Sequence, residues 1–259
     1  MISALLAILS WAVPYSAAIA QSCSKHSPAH TVALLELYTS EGCSSCPPAD
    51  RKLSTLRSSG AASETGIDHL VPLALHVDYW NDIGWKDTFS SSTYTERQHA
   101  LSAVANSRTI YTPEIFVAGQ ELRNWSNDIP AAVRRINSQP ARAGIDITLG
   151  KIGGGSIPVD VSAHARQGGK LFVALYENNL VSEVTAGENR GATLRHDFVV
   201  RQWVGPIPLG GPAGAGKAAL TRSLPVPPTA AAGSLGVAAF VQSDRGEILQ
   251  ALALPACGA

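Results

Sequence analysis

The sequence predicts an α/β arrangement over residues 21–139 and an all-β, sandwich-like unit over residues 140–259, behind a leader at 1–20. Three observations carry this. Strand-like and helix-like segments alternate from residue 31 to 139. A break running from Pro140 to Gly144 then changes the character of the chain. Beyond it, short β-type runs are separated by Gly and Pro, as in small antiparallel sandwiches or barrels.

The leader comes first. Ile2 to Ala20 contain no charged side chain, and Ala18-Ile19-Ala20 supplies the small-x-small pattern that signal peptidases cut. Cleavage after Ala20 would leave a chain beginning at Gln21 and expected in the periplasm or secreted, where disulfides persist. The same stretch also reads as an uncleaved anchor, because it approaches the length needed to span a bilayer. No later stretch approaches that length, so the mature form is not expected to span a membrane.

Residues 31–38 form a near-continuous apolar run, the signature of a strand buried on both faces. Pro47 and Pro48 sit where a helix tolerates proline, and Leu53 and Leu56 give it an apolar face. A second strand is expected at 70–77 and a helix at 94–107. A third strand at 113–118 forms a hairpin with 121–125, and a helix at 127–137 is capped by Ser126. After the break, β runs are read at 145–149, 157–162, 171–177, 180–185, 193–204, 217–224, 236–242 and 247–254.

Composition narrows the function classes. Twenty Lys and Arg balance twenty Asp and Glu, so the electrostatic footprint of a nucleic-acid binder is missing. Hydrophobic types make up 45% of the chain, enough for a packed core. The segment from Gly211 to Ala218 approaches a phosphate-binding loop. However, Ala218 stands where a hydroxyl must reach Mg²⁺ and Pro212 removes a backbone donor, so it reads as a plain loop.

The four cysteines carry most of the functional signal. Cys43-Ser44-Ser45-Cys46 lies between the first strand and the first helix, where unpaired N–H groups and the helix dipole favour a thiolate. Cys43 is then the attacking or leaving sulfur and Cys46 the resolving one. A structural disulfide is the competing reading. Zinc lacks a second C-x-x-C or His pair to complete four ligands. Cys23 and Cys257, near the two mature ends, are expected to form a structural disulfide.

Tyr111-Thr112-Pro113 stands immediately before the third strand. The order strand–CxxC–helix, strand, helix, Thr-Pro–strand, strand, helix resembles a thioredoxin fold. More closely, residues 35–50, 76–91, 97–98, 111–119 and 187–201 resemble an exported bacterial family catalogued as a domain of unknown function, whose members are described as secreted and thioredoxin-like. The resemblance implies a thioredoxin-like N-terminal domain followed by an all-β extension. It also implies a redox role for Cys43, Cys46, Thr112 and a cis Pro113. Two departures stand out. Ser44-Ser45 differs from the intervening pairs of well-studied oxidoreductases, and Leu37 occupies the place of the thioredoxin buried acid. Glu36, one residue earlier, is either a proton acceptor for Cys46 or the partner of a cation.

The loop that follows the second strand carries Tyr79, Trp80 and Trp85, which either wall a groove for an extended peptide substrate or pack the loop down. Asp78, Asp82 and Asp87 offer the oxygens of a cation site, but their spacing matches no EF-hand loop. Glu188, Asn189, Arg190 and His196 belong to the family-like motif but suggest no role.

The leading expectation is an exported thiol–disulfide oxidoreductase. It would work through a redox-active disulfide, with no further cofactor and no metal, on exported proteins or a thiol redox partner. Two alternatives stay open. One is a Cu(I)-handling protein using the thiols with His76 or His99. The other is a non-catalytic binding module whose disulfide only supports the fold.

Overall fold

The computed structural model describes residues 22–57, 63, 65–107, 109–211 and 216–257. The expected leader lies outside them, as does the centre of the Gly-rich loop at 212–215. Among the described residues, no helix is long and apolar enough to cross a membrane.

A short strand β1 (Cys23–His26) precedes β2 (Ala33–Thr39), which is buried at every position. Helix α1 (Pro47–Arg57) opens on its two prolines and turns Leu53 and Leu56 into the core. Strand β3 (Leu70–His76) is again wholly buried. Helix α2 (Ser92–Val104) is capped by the Ser91 side chain, which accepts from Thr93 N. The hairpin β4 (Glu114–Val117) and β5 (Gln120–Glu121) leads to α3 (Trp125–Asn137). The α3 helix begins earlier than the sequence suggested, so Ser126 lies inside its first turn and Asn124 takes the cap position.

The remaining chain is strand-rich. It runs through β6 (Ala143–Leu149), β7 (Ser156–Ala165), β8 (Lys170–Glu177), β9 (Leu180–Glu183), β10 (Thr193–His196) and β11 (Val199–Pro208). It ends with β12 (Gly216–Pro225), β13 (Leu235–Gln242) and β14 (Ile248–Pro255). The single strand expected at 193–204 is broken in two. Phe198 adopts φ +58°, so β10 pairs with β9 while β11 departs to another sheet.

The expected fold class, a thioredoxin-like α/β domain followed by a separate all-β sandwich, is overturned. The protein is mostly β, with three α-helices against fourteen strands among the described residues. One eight-stranded sheet, in the order β14-β13-β8-β11-β3-β2-β4-β5, runs through the expected boundary at 139/140. The junction is the parallel pairing of Val199 with Ala74, with Ala74 N donating to Phe198 O at 2.9 Å. The exchange is reciprocal: β1 leaves the N-terminal half to pair with β6 in the four-stranded sheet β1-β6-β7-β12. The reason is the free edge of β3. An α/β unit ending there would leave its N–H and C=O groups unpaired, and β11 takes them.

Most strands of the large sheet are buried on both faces; the distal half of β11 and the edge strand β5 are partly exposed. On β8, Phe172, Ala174 and Tyr176 pack into the core shared with the helices, whereas Leu171, Val173 and Leu175 face the four-stranded sheet. Arg97 of α2 is a fixed point in the first core. It holds Glu36 through Nε and Nη2 at 2.9 and 3.1 Å, and Gln242 through Nη1 at 2.6 Å. Its guanidinium also lies over the rings of Phe172 and Phe240 at 5.0 and 5.3 Å.

Candidate functional site

The C-terminal ends of the parallel strands β2 and β3 bring together the loops 40–46 and 77–91. Cys43 and Cys46 are joined by a disulfide, both fully buried, and Cys46 stands directly before α1 with its carbonyl accepting from Ala49 N and Asp50 N. The Thr112–Pro113 peptide bond is cis. Thr112 O lies 3.8 Å from Cys43 Sγ, and the Ser45 hydroxyl is 3.3 Å from each.

The loop aromatics point their polar atoms into the scaffold. Trp80 Nε1 donates to Thr112 Oγ1 at 2.8 Å, Tyr79 OH to Gln98 Oε1 at 3.2 Å and Trp85 Nε1 to Glu41 Oε2 at 2.8 Å. Trp80 and Thr112 therefore flank the disulfide, and Tyr79 keeps a ring exposed. Gln98 also donates to Tyr111 O and Glu114 Oε2. Burial raises the Glu114 carboxyl to about 7.

Glu36 is paired with a buried cation. Arg97 engages both of its carboxylate oxygens, and Tyr38 OH donates to one of them. This is the ion-pair reading of the residue. Of the candidate copper ligands, His99 lies exposed on α2, whereas His76 is buried. Asp78 accepts from Thr95 and Asp87 turns to His76, so these two acids serve separate partners.

Two groupings of residues did not follow from the sequence, although most of their members stand out in it. The first is the loop 184–192 between β9 and β10. Asn189 Nδ2 donates to Glu41 O and Cys43 O at 2.8 and 3.0 Å, and Glu188 Oε2 accepts from Ser44 N at 3.0 Å. This loop ties onto the backbone of the cysteine segment. Gly187, at φ +71°, permits the approach, since a β-carbon there would lie 3.0 Å from Trp85 Cβ. The glycines of the 187–191 motif were the available signal.

The second is a buried polar cluster behind the cysteines. His196 lies between Glu41 Oε1 at 3.3 Å and Asp50 Oδ1 at 3.5 Å. Burial pulls His196 down, but its contacts with Asp50 and Glu41 outweigh this and raise it to about 10. His76 Nδ1 is 2.6 Å from Asp87 Oδ2, which also accepts from Glu41 N. Burial opposes ionisation of Asp87, yet His76 and the backbone donors hold it below the usual carboxylate range.

Fold and site together define a mostly β protein, stapled end to end by Cys23–Cys257, that presents a CxxC disulfide at a strand–helix junction. The chain belongs to the family described as a protein of unknown function, DUF1223, which matches residues 34–242. No thioredoxin-like family is shown by this match. Two solved structures share the fold. Protein AGR_C_4864 from Agrobacterium tumefaciens is 24% identical with a TM-score of 0.59, covering 87% of this chain and 94% of its own. HBP35 of Porphyromonas gingivalis is 16% identical with a TM-score of 0.65, covering 89% of this chain and 76% of its own. No curated protein matches the chain.

Proposed function

We propose that the protein is a thiol–disulfide oxidoreductase of an oxidising compartment outside the cytoplasm, acting on exported proteins or on a thiol redox partner. The observation that carries this reading is the position of Cys43–Cys46 at the start of α1, with the Thr112 carbonyl and the Ser45 hydroxyl against the Cys43 sulfur. Two intramolecular disulfides support the compartment.

In the oxidising direction, a partner thiolate attacks Cys43 Sγ. The Cys43–Cys46 bond breaks and Cys46 leaves as a thiolate, favoured by the helix N-terminus. A second partner thiolate attacks the partner sulfur of the mixed disulfide and releases Cys43. Two electrons pass from partner to pair, and the reverse sequence reduces a partner disulfide. Both sulfurs are buried, so attack requires a local opening, and the 184–192 loop tied to Cys43 O is the element we assign to it. The exposed side chains of Tyr79 and Ile110, on the segments that carry Trp80 and Thr112, offer apolar surface to an unfolded client.

The test is disulfide exchange with insulin and with a scrambled protein substrate. Exchange by the native chain and its loss in Cys43→Ser are expected. Equal rates in the two would leave the disulfide as a support of the fold.

A further inference from the structure

We propose that Asp50, His76 and His196 form a binding site for a divalent transition-metal ion of the Zn²⁺ class, separate from the cysteine pair. Each residue offers one ligating atom, and these atoms lie within 4.8 Å of one another in the buried interior. Two imidazoles and a carboxylate suit a borderline cation better than Ca²⁺ or Mg²⁺, which prefer all-oxygen shells. Tetrahedral ligand atoms about 2.0–2.2 Å from Zn²⁺ lie about 3.3–3.6 Å apart, so closure from separations within 4.8 Å asks each side chain to shift by about 1 Å.

Each ligand is oriented by a second residue. Asp87 takes His76 Nδ1 at 2.6 Å, which leaves His76 Nε2 fully buried and without a hydrogen-bond partner. Glu41 faces His196 Nε2 at 3.3 Å, which leaves Nδ1 toward Asp50 Oδ1. Thr39 Oγ1 donates to Asp50 Oδ2 at 2.8 Å, which leaves Oδ1 free to ligate. A carboxylate behind each histidine is the usual support of metal-bound imidazole.

Charge points the same way. Glu41, Asp50 and Asp87 are buried, and among the described residues none forms an ion pair with Lys or Arg. The His196 proton, shared between Glu41 and Asp50, offsets one of these charges; a divalent cation would displace that proton and offset the surplus. A cavity of about 110 Å³ reaches two of the three ligands, Asp50 and His196; His76 does not line it.

The site is independent of the redox reading, so its test uses oxidised protein together with a variant that lacks the Cys43–Cys46 thiols. Oxidised full-length protein is expected to retain one equivalent of Zn²⁺ after desalting. Cys43→Ser with Cys46→Ser should bind equally well. Bound Co²⁺ should show visible d–d bands without thiolate charge transfer. Asp50→Asn should weaken binding by about 100-fold or more, and Asp87→Asn by about 10–100-fold. Should these variants fail to fold, a Zn²⁺ titration of the wild-type protein followed by imidazole NMR decides, with shifts expected at His76 and His196. Absence of binding to oxidised protein, binding that needs the thiols, or unmoved His76 and His196 signals would overturn the proposal.

Discussion

Asn189 donates its side-chain amide to the carbonyl of Cys43 at 3.0 Å, so the 184–192 loop is tied to the backbone of the cysteine itself. The same amide reaches Glu41 O at 2.8 Å. The loop comes from the C-terminal half of the chain and the cysteine from the N-terminal half, joined through the common sheet.

Removing that amide should open the site. Each of the two hydrogen bonds contributes about 0.5–1.5 kcal/mol, so Asn189→Ala is expected to raise the open population roughly 5–150-fold. Mass spectrometry of alkylated peptides after brief reduction should show Cys43–Cys46 reduced faster by a similar factor. An unchanged rate would mean that the loop does not gate access.

Arg97 is the only cation paired with Glu36 among the described residues, and both are buried. Arg97→Met leaves an uncompensated carboxylate and is expected to cost about 3–5 kcal/mol in urea unfolding. Adding Glu36→Gln should recover part of that loss. A single variant as stable as wild type would contradict the ion-pair assignment.

Glu114 should make stability depend on pH. Its folded value of about 7 stands above the ordinary 4.5, so the native state holds a proton that the unfolded chain has already released between these values. The contribution is full below about 4.5 and is lost as pH rises toward 7. Glu114→Gln should therefore gain on wild type between pH 5 and pH 8, by about 1–3 kcal/mol. Parallel unfolding curves at both pH values would remove this group as the cause.

Cys23–Cys257 joins the first described strand to the residues just beyond the last. Replacing both cysteines by Ser is expected to cost about 2–5 kcal/mol. Disulfide exchange by the folded remainder should persist, since this bond lies outside the candidate site. Loss of exchange in a folded double variant would assign catalysis to the wrong pair.

The local elements were legible because local chemistry writes them. The apolar runs in β2 and β3 and the proline pair opening α1 needed no partner to be recognised. The partners were not legible, since nothing near Ala74 announces that Val199 will lie beside it. One signal did exist: β8 and β13 are apolar almost without alternation, as strands buried on both faces are, whereas a sandwich strand alternates. At the site, spacing exposed Cys43, Cys46 and Thr112. The roles of Asn189 and His196 escaped because the β9–β10 hairpin delivers them from far along the chain.

The reduction potential of Cys43–Cys46 tests the central claim most directly. Incubated in graded glutathione or dithiothreitol buffers and trapped by alkylation, this pair is expected to equilibrate above about −300 mV in the folded protein, while Cys23–Cys257 stays oxidised. A Cys43–Cys46 potential below that value, or reduction only when the protein unfolds, would contradict the redox assignment and make the pair a structural bond.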